Sequence, residues 1–168
     1  MENLLEISDL SLDLKQDDEW KSILHHVSFN LAKGETLGIV GESGSGKSVS
    51  ALSIMRLLNP KIASYPNGSI TFYEEDAPNQ AIDLLNCPEE QMQHIRGNKI
   101  AMIFQEPMTS LNPVIKCGQQ ITEQILLHTK TDKLKAREQV IELFKEVMLP
   151  RPDKIFRTNC QADKSSVS

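Results

Sequence analysis

The chain has 168 residues, enough for one domain, or part of a larger one, with a sizeable core. Its net charge of −5, with Lys and Arg scattered rather than clustered, argues against DNA or RNA as a partner. Apolar runs fall far short of the roughly 18 residues of a membrane span, and Met1-Glu2-Asn3 lacks a basic region followed by an apolar core, so a soluble, non-secreted chain is expected. The three cysteines, Cys87, Cys117 and Cys160, are odd in number and widely spaced. That usage fits a reduced cytosolic protein and offers no metal-ligand pattern.

Strand-like segments come first: Leu4 to Ile7, Leu10 to Leu14, Ile23 to Leu31 and Thr36 to Val40. Several alternate apolar and polar residues as a half-buried antiparallel sheet does, whereas the last is continuously apolar like a central strand. Lys33-Gly34-Glu35 reads as the turn before it. A helix is expected over 47–58, then a Pro66-Asn67-Gly68 turn leading to a strand from Ser69 to Tyr73. Glu74 to Gln80 reads as an exposed loop in which Glu74, Glu75 and Asp76 are solvated. Pro88 to Arg96 predicts a short helix with proline in its first turn, and Lys99 to Phe104 a buried-type strand running into Gln105-Glu106-Pro107. From Cys117 onward the pattern is helical. Val140, Ile141, Phe144, Val147 and Met148 predict an amphipathic helix from Lys133 to Met148, ended by Pro150 and Pro152.

The chemistry is concentrated in Gly41-Glu42-Ser43-Gly44-Ser45-Gly46-Lys47-Ser48, which follows an apolar segment and opens a helix at Val49. This is G-x-x-x-x-G-K-[ST] in its proper setting, a cradle for nucleotide phosphates. Glycines at 41, 44 and 46 allow backbone conformations barred to other residues, so successive N–H groups can turn toward an anion. The positive end of the following helix points at the same place. Lys47 suits the β- and γ-phosphates, and the Ser48 hydroxyl suits Mg²⁺, the hard cation that accompanies ATP. By itself the loop leaves open a kinase, a GTPase or a transporter motor. His25, His26, His94 and His128 form no constellation with Asp or Cys in the sequence and read as surface or strand residues.

The segment Leu37 to Ser48, together with Ile100-Ala101-Met102-Ile103-Phe104-Gln105-Glu106-Pro107-Met108-Thr109-Ser110-Leu111-Asn112-Pro113, resembles the ATP-binding subunits of ABC transporters. Within them it is most similar to the branch importing dipeptides, oligopeptides and nickel, which Glu89 to Gly97 also fits. The resemblance covers residues 1 to about 156. It implies an α/β fold: a P-loop NTPase core with an N-terminal antiparallel β-region and an incomplete helical subdomain starting at about 115–150. In that family the glutamine matching Gln105 touches Mg²⁺ and the attacking water, while the loop at about 105–113 contacts the membrane permease. An aromatic from the early β-region stacks on adenine, and Trp20 stands at about that place; the alternative is that Trp20 covers the sheet. The resemblance also implies a second ATP-binding subunit as dimer partner, an extracytoplasmic solute-binding protein acting through the permease, and a station on the cytoplasmic face of the membrane.

Other family features are expected later than this chain runs: a Leu-Ser-Gly-Gly-Gln signature, an apolar strand ending in Asp-Glu that gives the general base, and a histidine. Back-translated with permitted codons and regrouped from one base earlier, Arg157 to Ser168 spells His-Gln-Leu-Ser-Gly-Gly-Gln-Lys-Gln-Arg-Val. Residues 157–168 are therefore expected to be a frameshifted tail. A chain with this composition is expected to bind Mg-ATP weakly and not to turn it over alone. The alternatives are a non-catalytic remnant that binds ATP weakly or only contacts the permease, and a soluble P-loop kinase.

Overall fold

Residues 2–74, 81–105 and 111–159 are described by the structure, a computed structural model. The chain divides into two units, Met1–Arg96 and Gly97–Ser168.

The first unit is built on an antiparallel sheet of order β2-β1-β3-β4, with β1 Asn3–Gln16, β2 Glu19–Ala32, β3 Ala63–Tyr73 and β4 Ala81–Asp83. The two segments expected at Leu4 to Ile7 and Leu10 to Leu14 are one strand. Its bulge at Asp9, where φ is 53°, carries the phase across the break, so Leu5, Ile7, Leu10 and Leu12 are all buried. Asp17 and Asp18, with φ of 51° and 64°, make the two-residue connection to β2, the left-handed pair a tight hairpin requires. Strand β2 starts at Glu19, earlier than its apolar alternation shows, because each residue from Glu19 to Ser22 finds a partner on β1.

Pro66-Asn67-Gly68 is no turn. Strand β3 runs through it, with Asn67 opposite Ser11 and a register shift on either side. Gly68 has φ +94°, and a Cβ there would lie 2.5 Å from both Asp9 O and Leu10 Cα; glycine marks a close approach of two strands. Strand β4, with Ile82 buried opposite Phe72, has no counterpart in the expected elements. The loop expected at Glu74 to Gln80 lies outside the described residues from 75 to 80.

Helix α1 spans Lys47–Ile54 and α2 spans Glu89–Ile95, with Pro88 at its N-cap. The expected helix over 47–58 stops early at a left-handed turn, where Arg56 N donates to Ser53 O at 3.0 Å and Leu57 N to Leu52 O at 2.9 Å, and Arg96 binds the carbonyls just beyond. Arg96 Nε donates to Met55 O at 2.8 Å and its Nη2 to Arg56 O at 3.3 Å, while Arg56 itself turns left-handed with φ 48°. Glu89 accepts from Arg96 at 2.7 Å and from Arg56 at 3.4 Å, so one carboxylate ties the end of α1 to α2.

Thr36 to Val40 is not a strand, and Val40 is 93% exposed. In the second unit Lys99 to Phe104 likewise forms no strand, with Ile103 93% exposed. A continuously apolar segment becomes a buried strand only with ladders on both sides, and among the described residues neither segment has one.

The second unit holds α3 Cys117–His128, α4 Lys133–Glu146 and α5 Pro152–Phe156. Asp132 caps α4, accepting from Leu134 N at 3.0 Å and Lys135 N at 2.9 Å. The stripe of α4 that packs is Ala136, Val140 and Phe144; Val147 and Met148, expected on that face, are exposed beyond its end, where Met148 has φ 57°. Pro152 starts a helix rather than only ending one, as proline's fixed φ suits a first turn. That short helix delivers Phe156 to Gly118, where any Cβ would meet the ring at 2.2 Å, and Arg137 lies 5.3 Å from the ring centroid. Cys117 N donates to Thr158 O at 3.0 Å, and Lys116 bridges Asn159. Only backbone groups make those last two contacts, so they say nothing of the side chains of the expected frameshifted tail, whose residues 160–168 lie outside the described region.

Candidate functional site

The loop from Gly41 to Gly46 hangs between the extended segment 35–40 and α1, and its own residues close it. Ser45 N donates to Glu42 O at 3.2 Å, and Lys47 Nζ reaches back to donate to Gly41 O at 2.7 Å, Glu42 O at 2.6 Å and Ser45 Oγ at 3.1 Å. The ammonium therefore sits inside the loop's curve, where a phosphate entering the cradle would meet it.

Gly46 is required by its backbone conformation. Gly46, the N-cap of α1, has φ +88°, and a Cβ on it would come within 2.5 Å of Leu24 Cδ2. A Cβ on Gly41 would lie 2.7 Å from Ser45 Oγ, which would have to rotate away from Lys47 Nζ. Helix α1 carries no side-chain cap and no acidic residue in its first turn, so the amides of Lys47, Ser48 and Val49 keep their donors and their positive potential for an incoming ligand. Deeper in the helix the hydroxyls are spent internally: Ser50 Oγ donates to Gly46 O at 3.0 Å and Ser53 Oγ to Val49 O at 2.8 Å. The Ser48 side chain, by contrast, belongs to an exposed residue at the helix start.

Below the loop is a cavity of about 470 Å³, walled by Leu24, Val27 and Phe29 of β2, by Ile39 and Val40, and by Lys47. An apolar chamber beside a cluster of amide and ammonium donors has the mixed lining of a ligand site. Gly41, Glu42, Ser43, Gly44, Ser45, Gly46, Lys47, Ser48 and Val49 are thus brought together within the first unit. Trp20 is in β2 opposite Lys15 and is 52% exposed.

Gln105 belongs to the second unit, exposed at a bend after residues 101–104; Glu106 to Ser110 lie outside the described residues. Sequence reasoning missed the residue that organises the segment at 112–115. Gln120 accepts from Asn112 N at 2.9 Å and donates to Asn112 O and Ile115 O, each at 3.0 Å, pinning that segment to the first turn of α3. Asn112, Pro113 and Gln120 offered a faint sign in their spacing, since a glutamine one turn into a helix can serve the chain that enters it.

The expectation that no histidine meets an aspartate is corrected. His26 Nδ1 lies 2.7 Å from Asp9 Oδ1, and Asn67 Nδ2 donates to the other carboxylate oxygen. These residues sit on three adjacent strands, and only strand pairing brings them together. Among the described residues no cluster of three or more His, Cys, Asp or Glu is arranged to hold a metal ion, and no helix is long and apolar enough to cross a membrane. Cys87 and Cys117 carry thiols and are not joined in a disulfide; Cys160 lies outside the described residues.

The ABC transporter family model matches residues 24–166. Similar curated proteins include the oligopeptide transport ATP-binding protein OppD of Bacillus subtilis, 44% identical over 90% of this chain and 40% of its own length. The peptidoglycan transport ATP-binding protein YejF of Agrobacterium fabrum is also 44% identical, over 90% of this chain and 26% of its own. This chain therefore spans less than half the length of these relatives. Among solved structures, the dimeric bacterial ABC transporter cassette MJ0796 superposes with a TM-score of 0.71 at 21% identity, over 92% of this chain and 61% of that one. At that identity the likeness speaks to the α/β fold. The family match, the relatives and the loop around Lys47 agree: the chain belongs to the ABC transporter family.

Proposed function

We propose that this chain is the ATP-binding part of an importer of peptides or a related solute, and that the loop at residues 41–49 holds the phosphates of Mg-ATP. The observation that carries the reading is Lys47 folded into a glycine loop at the uncapped start of α1, a concentration of donors and positive potential with no acidic side chain in that first helical turn. The fit to a polyphosphate is good: two positive-φ glycines, Gly44 and Gly46, shape the loop, and the first-turn amides are unclaimed by side chains. In this reading the amides from Gly41 to Val49 cradle the β-phosphate, Lys47 takes the β- and γ-phosphate charge, and Ser48 and Gln105 are the Mg²⁺ ligands. Bound Mg²⁺ supplies charge neutralisation between the phosphates. Trp20 offers its exposed ring to adenine, and Gln105 carries the state of the γ-phosphate into the loop that meets the permease.

In the whole protein, ATP binding and hydrolysis would drive uptake by a pair of such subunits on the cytoplasmic side of the membrane, served by an extracytoplasmic solute-binding protein. The segmentation that goes with this reading is an ATP-binding portion at 1–156 and a frameshifted tail at 157–168. A second reading, a chain that holds ATP without turning it over, is favoured by the exposure of Val40 beside the loop, an apolar residue that a site excluding water would have to cover.

Trp20 is the only tryptophan, so nucleotide binding can be read from its emission. Mg-ATP should give a saturable change that Lys47→Ala abolishes. Equal binding by wild type and Lys47→Ala, or none by either, overturns the assignment of the loop. Phosphate release assayed on the same samples separates the two readings.

A further inference from the structure

We infer that Asp9, His26 and Asn67 form a side-chain latch that positions the phosphate loop by holding a line of bulges across strands β2, β1 and β3. The inference rests on the reading of residues 41–49 as a phosphate site, and it concerns residues outside that loop.

The line is visible in both backbone and register. Asp9 in β1, His26 in β2 and Gly68 in β3 all have positive φ, at 53°, 53° and 94°. From the Ile7–Phe29 pair to the Leu10–Val27 pair, β1 advances three residues while β2 advances two. From there to the Leu12–Leu24 pair, β2 advances three while β1 advances two. Two compensating bulges therefore lie side by side. Directly opposite residues on paired strands share a face of the sheet. Leu24, Val27 and Phe29 consequently share the face of Leu12, Leu10 and Ile7, although the three-residue step from 24 to 27 would separate them in a regular strand.

Those same three β2 residues floor the cavity under the loop. Leu24 also touches the position where a Cβ of Gly46 would stand, so it props the N-cap of α1 directly. A slip of one residue at His26 would turn Leu24 or its neighbours to the other face and remove that prop.

Neither Asp nor His adopts a left-handed backbone without cost, and the side chains supply the compensation. The Asp9 carboxylate accepts from His26 Nδ1 at 2.7 Å with one oxygen and from Asn67 Nδ2 with the other, while Asp9 N donates to Ser28 Oγ at 2.8 Å and His26 N to Ser11 Oγ at 3.2 Å. All three bulged strands are thus stitched at one level. His26 and Asp9 are exposed and remote in sequence from the loop, so these are positioning residues rather than ligands of nucleotide.

The test uses the whole chain and two readings. Asp9→Gly and His26→Gly remove the latch while keeping the backbone freedom the bulges need, which separates side-chain bonding from strain. Hydrogen exchange of the peptide covering residues 47–57, in which Ser50 N is bonded to Gly46 O, Met55 N to Ala51 O and Leu57 N to Leu52 O, should quicken about tenfold in both variants, with a matching loss of Mg-ATP affinity. His26→Asn, which tolerates positive φ and carries a donor where Nδ1 stands, should restore both. Unchanged exchange in residues 47–57, equal quickening throughout the sheet, or failure of His26→Asn to rescue overturns the latch. If the variants loosen the loop but wild type binds no Mg-ATP, the latch stands and the nucleotide reading falls. If wild type binds and the loop is unmoved, the latch alone falls.

Discussion

Gly68→Ala should be among the most damaging single-methyl additions in the first unit, and Gly34→Ala is its natural control. Both positions have positive φ, +94° and +76°, but a Cβ at Gly34 meets nothing within 4 Å, whereas one at Gly68 lies 2.5 Å from Asp9 O and Leu10 Cα. An L side chain in the left-handed region costs about 1–2 kcal/mol, and this is all that Gly34→Ala should lose. At Gly68 the obstructing atoms are backbone in the middle of a paired strand and cannot rotate away. Overpacking of that kind adds about 1–3 kcal/mol, for a total near 3 kcal/mol. With a urea slope of about 2 kcal/mol per M, the Gly68→Ala midpoint should fall by about 1.5 M and the Gly34→Ala midpoint by about half as much. The emission of Trp20 in β2 follows the first unit specifically, since the chain has no other tryptophan. Coincident midpoints for the two variants would refute the claim that strand approach, rather than backbone conformation alone, requires glycine at 68.

In the second unit, Asp132→Ala removes the acceptor for Leu134 N and Lys135 N and should cost about 1 kcal/mol, read as a lower melting temperature by far-ultraviolet dichroism; Asp132→Ser should recover most of it, and equal melting of the two variants would exclude a capping role. Tyr65 and Tyr73 should both ionise above the ordinary 10.0, Tyr65 chiefly because burial disfavours phenolate and Tyr73 chiefly because its hydroxyl donates to the Glu6 carboxylate at 3.1 Å. A raised folded pKa means the fold favours the protonated phenol, so this contribution is complete below the unfolded value near 10 and is lost as pH rises through the folded one. Absorbance titration should therefore show both midpoints above 10.0, and Tyr65→Phe should flatten the alkaline decline in stability; a tyrosine titrating at its ordinary value in the folded chain would contradict the assignment.

What was legible in the sequence was set by short-range chemistry. The run from Gly41 to Ser48 specified its loop because glycine spacing, a lysine and a following helix act within a few residues of one another. Helices α2 and α4 were legible for the same reason, through Pro88 at one start and the spacing of Val140 and Phe144 in the other, whereas the place of Ala136 on the packed stripe was not read from it.

Only tertiary structure could decide the rest. Pro66-Asn67-Gly68 carries turn residues, yet it lies inside β3 because Gly68 is needed where that strand passes Asp9. Thr36 to Val40 carries the residues of a central strand, yet a strand exists only by pairing, and none of the described residues pairs with it. The meeting of Asp9, His26 and Asn67 depends on three strands aligned in register, with 17 residues separating the first two and 58 separating Asp9 from Asn67. Local sequence determined the glycine loop and its lysine. Strand pairing, which joins residues far apart in the chain, decided what holds that loop in place.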